Sequence, residues 1–175
     1  MIIVSNCGFD SRHRTGFDIR RPNGNGVYTL MFIKTEAFFE IDGKLIGTTP
    51  NTAILYDKNA YIHYGCYAQS YSDDWIHFDF SEEEHLMEQL ALPLNHPFPL
   101  TDTTLLTEYV KIIVSKNLSS HLYKEQIIDA LMHALLYSLA GQFHTSKDER
   151  LKNKYFQRLN QIRMNIQNAP HKKWD

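Results

Sequence analysis

The chain has 175 residues, is 43% hydrophobic and carries a formal net charge of −2, which suffices for one domain with a substantial core and a short extension. Its two cysteines exclude a disulfide framework and lack the spacing of a zinc site, so we expect a reduced, cytoplasmic protein without a structural metal. No apolar run approaches the roughly 18 residues of a membrane span, and the apolar start lacks the basic flank of a signal peptide.

The short strands come first along the chain. Candidate strands lie at residues 27–34, 37–41, 44–46, 53–56, 61–67 and 75–80, separated by turn residues. Asp42-Gly43 is a strong hairpin signal, because glycine adopts the positive φ of a type I′ turn without steric cost. Six or so strands at regular spacing predict an antiparallel double sheet. The first twenty residues or so are interpreted as an N-terminal arm.

The pattern changes to helices after residue 80. Residues 81–84 read Ser-Glu-Glu-Glu, a capping box that predicts a short helix to about Leu92. Three prolines between residues 93 and 99 predict an extended linker. Helical patterns then occupy residues 103–118 and 123–143 and predict an antiparallel hairpin.

The second long helix carries a broad apolar stripe. Its members include Ile128, Leu131, Leu135 and Leu139. The stripe either packs against the sheet or is wide enough to serve a second subunit as well. On the second alternative, these four residues form the interface of a homodimer.

Charge divides the chain unevenly. Residues 150–175 contain seven Lys or Arg and one acidic residue, whereas residues 1–149 contain eleven basic and nineteen acidic residues. A basic C-terminal segment that follows an acidic domain suggests that this segment binds a polyanion. After a polar break at residues 145–148, residues 153–168 predict a basic amphipathic helix that ends at Ala169-Pro170. Because such a helix alone buries too little to be stable in water, we expect a further domain to follow it.

Catalytic and metal-binding patterns are weak. His63 and His77 lie on neighbouring predicted strands among aromatic residues, but two histidines without a paired His-x-His and a following Glu make a poor metal site. Gly24-Asn25-Gly26 precedes a strand rather than a helix, so it is not a phosphate-binding loop. No Ser or Cys occupies a nucleophile elbow. We therefore predict a protein that is not an enzyme and needs no cofactor.

Aromatic residues point to ligand binding instead. The ten Tyr, ten Phe and two Trp are concentrated before residue 81, and rings combined with polar groups suit a small polar metabolite. Plain core packing is the alternative. Strand alternation places Trp75, His77 and Asp79 on one face, the predicted pocket wall. Tyr28 shares a face with Lys34, which could place that ammonium at a pocket mouth.

Several short motifs, taken in order, carry a resemblance to a known family. They are Arg21-Pro22, Tyr-Thr-Leu-Met-Phe-Ile at 28–33, Leu55-Tyr56, Ile62-His63-Tyr64 and Asp-Trp-Ile-His-Phe at 74–78. Their order and spacing resemble the amino-terminal domain of the AraC/XylS (arabinose-regulator) family of bacterial transcription factors. Residues 159–174 look like the first helix of that family's paired helix-turn-helix DNA-binding domain.

The resemblance implies an α+β fold: a cupin-like antiparallel β-barrel that binds a small effector, then a helical hairpin that dimerises. The corresponding domains are residues 1–92, 93–146 and 147–175, and DNA binding would need a C-terminal domain beyond this chain. By position, Trp75 and Tyr64 match residues that line the pocket of the family's arabinose-binding member, while Asp73 and Lys34 fall near its pocket His and Arg. A sugar is therefore one expected effector. A small cupin enzyme, a metal-dependent isomerase or dioxygenase, is the alternative function.

Overall fold

The computed structural model describes residues 1–82, 85–145 and 147–168, with the side chains of residues 147–154 and 157 left out of the description. The chain divides into two compact units, Met1–Phe143 and His144–Asp175. Within the described residues no helix is both long and apolar enough to cross a membrane.

Two antiparallel sheets form the larger part of the first unit. The strands are β1 Ile2–His13, β2 Phe17–Arg21, β3 Tyr28–Ile33, β4 Ala37–Ile41, β5 Lys44–Thr48, β6 Thr52–Tyr56, β7 Ile62–Cys66, β8 Tyr71–Phe80 and β9 Phe98–Pro99. One sheet has the order β1-β8-β3-β6-β9 and the other β2-β7-β4-β5. Successive strands alternate between the sheets at several connections, as in a jelly roll. The predicted α+β class, with an antiparallel double sheet followed by a helical hairpin, is confirmed.

Within the described residues, four helices follow the main strands, in the predicted order. They are α1 His85–Leu90, α2 Thr104–Asn117, α3 Lys124–His144 and α4 Lys147–Asn168. The predicted polar break at residues 145–148 was too long, because α4 already begins at Lys147; Lys, Glu and Arg are good helix formers. Part of the predicted capping box, the predicted helix end at Ala169-Pro170 and the final residues of the basic end lie outside the described residues.

The first residues form sheet strands, which corrects their interpretation as a separate arm. β1 pairs with β8 from Ile2 opposite Phe80 to His13 opposite Tyr71. The Ile2 side chain is buried, and its backbone N–H donates to Asp129 Oδ1 at 2.6 Å. Two register shifts interrupt β1, and such bulges disturb the period-two pattern by which a strand is recognised in sequence.

The first unit has two hydrophobic clusters, one on each side of the five-stranded sheet. The inner cluster lies between the two sheets and includes Met31, Phe39, Ile54 and Tyr56. The outer cluster joins the other face of the five-stranded sheet to α1, α2 and α3. All six residues of β3 are buried, because this central strand contributes to both clusters. The outer cluster contains residues from both sides of the boundary at residue 92, and the division into domains at that residue stays a prediction.

The apolar stripe of α3 belongs to the outer cluster. Ile128, Leu135 and Leu139 are 4%, 0% and 0% exposed, and Leu131 is half-buried against the same cluster. The first of the two alternatives, packing against the sheet, therefore describes this helix. In the single chain, Ile128, Leu135 and Leu139 are enclosed by its own residues, and a homodimer interface at the four positions stays a prediction. The outer face of the five-stranded sheet is apolar and must be shielded from water, and the apolar stripe of α3 packs against it.

We predict that Gly65→Ala destabilises the four-stranded sheet by about 1–3 kcal/mol. Gly65 pairs with Asp18 of β2 and Phe38 of β4, and a Cβ at this position would overlap the Phe17 carbonyl oxygen. Gly47→Ala is the matched control, because Gly47 pairs with Phe38 from the other side and has open space around a Cβ. Urea denaturation measures both variants; equal stabilities would contradict the close approach of β2 to β7 at Gly65.

Candidate functional site

A group of polar side chains lies between the two sheets, within the inner hydrophobic cluster. We call Tyr56, Tyr64, Tyr71 and Asp73 the interior cluster. Tyr56 ends β6, Tyr64 lies in the middle of β7, and Tyr71 and Asp73 begin β8. Alternation turns Tyr71 and Asp73 to the same face of β8, and Tyr64 approaches them from the opposite sheet, with its ring centroid 5.6 Å from that of Tyr71.

Asp73 is the most unusual member of the interior cluster. It is 1% exposed, and its Oδ2 accepts a hydrogen bond from the Tyr71 hydroxyl at 2.9 Å. Its Oδ1 is buried and has no hydrogen-bond partner among the described residues. Desolvation raises the pKa of Asp73 from 3.8 to about 7, against the opposing effect of the Tyr71 hydrogen bond. The carboxyl group is therefore close to half ionised at neutral pH.

The three tyrosines supply neutral hydroxyls. Burial is the main cause that raises the pKa of Tyr56, Tyr64 and Tyr71 above the ordinary tyrosine value. The Tyr56 hydroxyl, like Asp73 Oδ1, is buried without a hydrogen-bond partner among the described residues. Buried polar atoms in native proteins are nearly always hydrogen-bonded, so two such atoms in one cluster require an explanation.

Aromatic rings enclose the cluster from the side of the β1–β2 turn. Phe17 stacks on Tyr71 with centroids 5.0 Å apart, and His13 stacks on Phe17 at 3.9 Å. Phe17 also meets the Tyr64 ring edge-on at 5.9 Å. On the opposite side, Phe39 stacks on Tyr64 at 5.7 Å. The Tyr64 and Tyr71 rings are thus part of one continuous group of packed aromatic side chains.

Trp75 lies on the inner face of β8, as alternation predicts, and packs against the inner hydrophobic cluster. Its indole N–H donates to Ser11 Oγ at 2.9 Å, and a Cβ on Gly8 would overlap the indole. The strand β1 therefore covers one side of this ring. Trp75 is half-buried and is placed to report on changes in the interior.

His77 lies on the same strand face, farther from Asp73. Its Nε2 is 3.3 Å from Asn25 Nδ2, which also donates to Thr29 Oγ1 at 2.7 Å. Burial lowers the pKa of His77 below the ordinary histidine value, and the nearby Arg21 charge lowers it further. The ring is therefore neutral at physiological pH and acts as a hydrogen-bonding group.

His63 points away from the interior, because its neighbours Ile62 and Tyr64 point inward. It is 1% exposed, and its Nδ1 lies 2.5 Å from Glu40 Oε2. Its Nε2 accepts from Arg20 Nε at 3.2 Å. These contacts connect β2, β4 and β7 on the outer surface of the four-stranded sheet; His63 forms hydrogen bonds, as its sequence context favours, but it is fully buried and not half-buried.

Tyr28 and Lys34 also lie outside the interior cluster. They share a strand face, as alternation predicts, but it is the face toward the helices. Tyr28 stacks on Phe78 at 5.5 Å, in the outer hydrophobic cluster. Lys34 Nζ lies 2.6 Å from Oδ1 of the fully buried Asp74 and 4.6 Å from the centre of the Phe9 ring. The ammonium group thus pairs with a carboxylate on the other side of the sheet from Asp73.

Sequence reasoning missed two members of the interior cluster as site residues, Tyr56 and Tyr71. The strand β8 begins at Tyr71, whereas the predicted strand began at residue 75. Extending the alternation backward from Trp75 through Asp73 would have placed Tyr71 on the same face. Nothing in the sequence distinguishes Tyr56 from a packing residue, because its position depends on how the two sheets meet.

Among the described residues, no group of three or more His, Cys, Asp or Glu side chains is arranged to hold a metal ion. The chemistry of the interior cluster is that of hydrogen bonding and charge, with one titrating carboxyl group and three neutral hydroxyls. Such a set can bind a ligand and fix its orientation.

No protein-family model matches the chain, and no curated protein matches it in sequence. Similar solved structures include ToxT from Vibrio cholerae, an AraC-family regulator, at 11% identity and a TM-score of 0.48, covering 100% of this chain and 67% of that one. ToxT from Vibrio cholerae strain SCE256 with a bound unsaturated fatty acid is similar at 11% identity and a TM-score of 0.38, with 99% and 65% covered.

A third structure is the Cupin_2 domain of an XRE-family transcriptional regulator from Enterobacter cloacae. It is 14% identical with a TM-score of 0.34, and the match covers 41% of this chain and 77% of that one. The chain spans about two thirds of the length of the ToxT chains that it matches.

Proposed function

We propose that this chain is the effector-sensing part of an AraC-type transcription regulator and that the interior cluster binds its small-molecule effector. The observation that carries the proposal is the pair of buried atoms without partners, Asp73 Oδ1 and the Tyr56 hydroxyl, inside one ring-lined cluster. The proposed role is binding rather than catalysis.

The energetic argument favours a ligand at these atoms. A buried polar atom without a partner costs about 1–3 kcal/mol, and neither atom adds a hydrogen bond to the fold. A ligand that donates to Asp73 Oδ1, or one that pairs with the Tyr56 hydroxyl, would recover part of this cost on binding. The surrounding rings supply flat apolar walls, and a few convergent polar groups among such walls are typical of small-molecule sites.

The rest of the chain supports the regulatory part of the proposal. α4 carries exposed apolar side chains, among them Phe156, Leu159 and Ile162 at 65%, 64% and 46% exposure, on a segment rich in basic residues. We propose that α4 begins a helix-turn-helix domain that lies beyond this chain and binds DNA. The further partner proposed is a second copy of the chain, and the compartment is the cytoplasm.

Nuclear magnetic resonance with a library of small polar fragments tests the effector site. We expect at least one fragment to shift the side-chain resonances of Tyr56, Tyr64 and Tyr71 saturably, since these hydroxyls surround the unpartnered atoms. The same fragment should shift Tyr137 little, because that ring lies exposed on α3. Fragments that shift only exposed tyrosines, or none, would overturn the proposal.

A further inference from the structure

We propose that two copies of this chain pair through the free edge of β5, with the two strands antiparallel and Ile46 at the centre of the pair. The kind of partner, a second copy, rests on the proposed function above, whereas the surface is independent of the effector site. Two features of β5 carry the proposal: an edge that lacks the usual protection against pairing, and a backbone and side-chain pattern that is complementary to itself.

β5 forms one edge of the four-stranded sheet and lies open to solvent. Among the described residues its neighbour in the sheet is β4 alone. Four of its five residues are exposed, and Leu45 and Ile46 are 60% and 41% exposed. An edge strand that is apolar and regular is a template for pairing with another chain.

The edge of β5 also lacks the features that prevent such pairing in other proteins. Prolines, bulges and several charged side chains are the common ones. The register of β5 with β4 is regular over all five residues, and the strand has no proline and one charge, at Lys44. The opposite edge of the same sheet, β2, carries three charged side chains in five residues, at Asp18, Arg20 and Arg21. Of the two edges, β5 is therefore the one suited to pairing.

The backbone groups of Leu45 and Gly47 point toward the free edge. Both residues of the β4–β5 turn, 42 and 43, have positive φ, as in the two-residue turn of a tight hairpin, which closes on a hydrogen-bonded pair. That pair is Ile41 with Lys44. Because bonded and non-bonded pairs alternate along an antiparallel ladder, Leu45 and Gly47 direct their N–H and C=O groups away from β4.

These outward groups define the register of the pair. An antiparallel arrangement centred on Ile46 places Leu45 of each copy opposite Gly47 of the other, and the two residues exchange both N–H···O=C bonds. Every outward backbone group of β5 then has a partner. A pair centred on Leu45 would set Gly47 against Gly43, which lies in the turn. A pair centred on Gly47 would set Leu45 against Thr49, which lies beyond the end of β5.

The side chains fit the same register. Gly47 lies opposite Phe38 of β4 and has open space where a Cβ would stand. Leu45 of the second copy, on the same face of the sheet, fills that space and packs beside Phe38. On the other face Ile46 lies opposite Phe39 of the inner hydrophobic cluster, and pairing places its side chain against Ile46 of the second copy. Exposed apolar surface is thus buried on both faces of the sheet.

Charge does not oppose this pairing. Lys44 lies opposite Thr48 of the second copy, so the two Lys44 residues are about 13 Å apart along the strands, farther than the Debye length of about 8 Å at physiological salt. A single pair of five-residue strands buries less than the roughly 1,200 Å² of a standard stable interface. We therefore expect a weak dimer whose population depends on concentration.

Sedimentation velocity at protein concentrations up to about 1 mM tests the surface. We expect a dimer whose fraction rises with concentration. Leu45→Lys should raise its dissociation constant at least about tenfold, because the contact between the edges then contains two more ammonium groups. Leu122→Lys is the matched control and should leave the dimer unchanged, since Leu122 is 83% exposed between α2 and α3. Thermal melting confirms that both variants are folded.

Oxidative cross-linking tests the register. In a chain whose Cys7 and Cys66 are replaced by alanine, Ile46→Cys should form a disulfide-linked dimer under a mild oxidant, because the two central residues have Cα atoms about 4.5 Å apart. Lys44→Cys is the control on the same strand face. Its two copies are about 13 Å apart along the strands, beyond the reach of a disulfide, so this variant should not cross-link.

A chain that stays monomeric over this concentration range would overturn the proposal. So would a dimer that Leu45→Lys leaves intact, since the second copy would then lie on another surface, and so would equal cross-linking at positions 44 and 46. These results leave the effector site untouched, because the interior tyrosine resonances report on it separately. If no fragment shifts those resonances while the β5 pair forms, the effector site alone fails.

Discussion

Asp73→Asn is expected to stabilise the folded chain at pH 8 by about 2–3 kcal/mol. The wild-type carboxyl group is 1% exposed, and its pKa is raised to about 7 from an ordinary value of 3.8. A shift of this size corresponds to a penalty of up to about 4 kcal/mol for ionising the group in the folded state. The asparagine amide has no charge to bury, although it leaves its own N–H group without a clear partner, which offsets part of the gain.

The sign of the pH dependence follows from the raised pKa. Between about pH 4 and pH 7 the folded chain binds a proton at Asp73 that the unfolded chain has lost, so wild-type stability falls as pH rises through this range. The penalty is complete above the folded-state pKa of about 7. The advantage of Asp73→Asn should therefore be largest at pH 8 and should become a disadvantage of about 1 kcal/mol near pH 4, where the ionisation penalty has gone and the unpartnered amide N–H remains.

Urea denaturation at pH 4, 6 and 8 measures this effect. Asp79→Asn is the control, since the hydrogen bonds from Lys58 and from the Phe80 backbone N–H help to lower the pKa of Asp79 and its loss should not stabilise the chain at pH 8. A pH-independent difference between Asp73→Asn and wild type would show that the Asp73 carboxyl group does not carry the ionisation penalty.

A variant that is more stable and binds the effector poorly would identify Asp73 as a residue kept for function. Functional sites often retain buried polar groups at the expense of stability. If Asp73 had a structural role instead, the Asp73→Asn variant would lose both stability and effector binding. The two measurements on Asp73→Asn, denaturation and titration with a fragment that shifts the interior tyrosines, thus separate the alternatives.

Leu135→Ala is expected to destabilise the chain by about 2–5 kcal/mol. Leu135 is 0% exposed in the outer hydrophobic cluster, where α3 covers the five-stranded sheet. Truncation removes buried methyl groups and leaves a cavity between helix and sheet. Tyr137→Ala is the control on the same helix, because Tyr137 is 56% exposed and its loss should change stability by less than about 0.5 kcal/mol.

Urea denaturation combined with sedimentation velocity distinguishes a core role from an interface role. We expect Leu135→Ala to lower the denaturation midpoint at any protein concentration. A variant that is as stable as wild type but dissociates a dimer would contradict the packing in the structure and would restore the assignment of this residue to a dimer interface.

The elements were largely predictable from the residues because they depend on local patterns. Asp42-Gly43 marks the turn between β4 and β5, and the three- and four-residue spacing of Ile128, Leu131 and Leu135 marks α3. The strand β1 was not predictable in this way. Its pairing with β8 is long-range, and its register shifts between Val4 and Asn6 and between Gly8 and Ser11 disturb the alternation.

The sequence by itself determined the α+β class, the antiparallel strands, the helical hairpin and which residues share a strand face. The tertiary structure alone decided which face meets the second sheet. Alternation relates Tyr28 to Lys34 and Asp73 to Trp75 equally well, but only the second pair turns inward. The raised pKa of Asp73 arises from desolvation, and desolvation exists only once Tyr64 and its sheet cover the carboxyl group. The period-two spacing of a strand does not say which face a second sheet will cover. The interior cluster therefore could not be predicted before the packing of the two sheets was known.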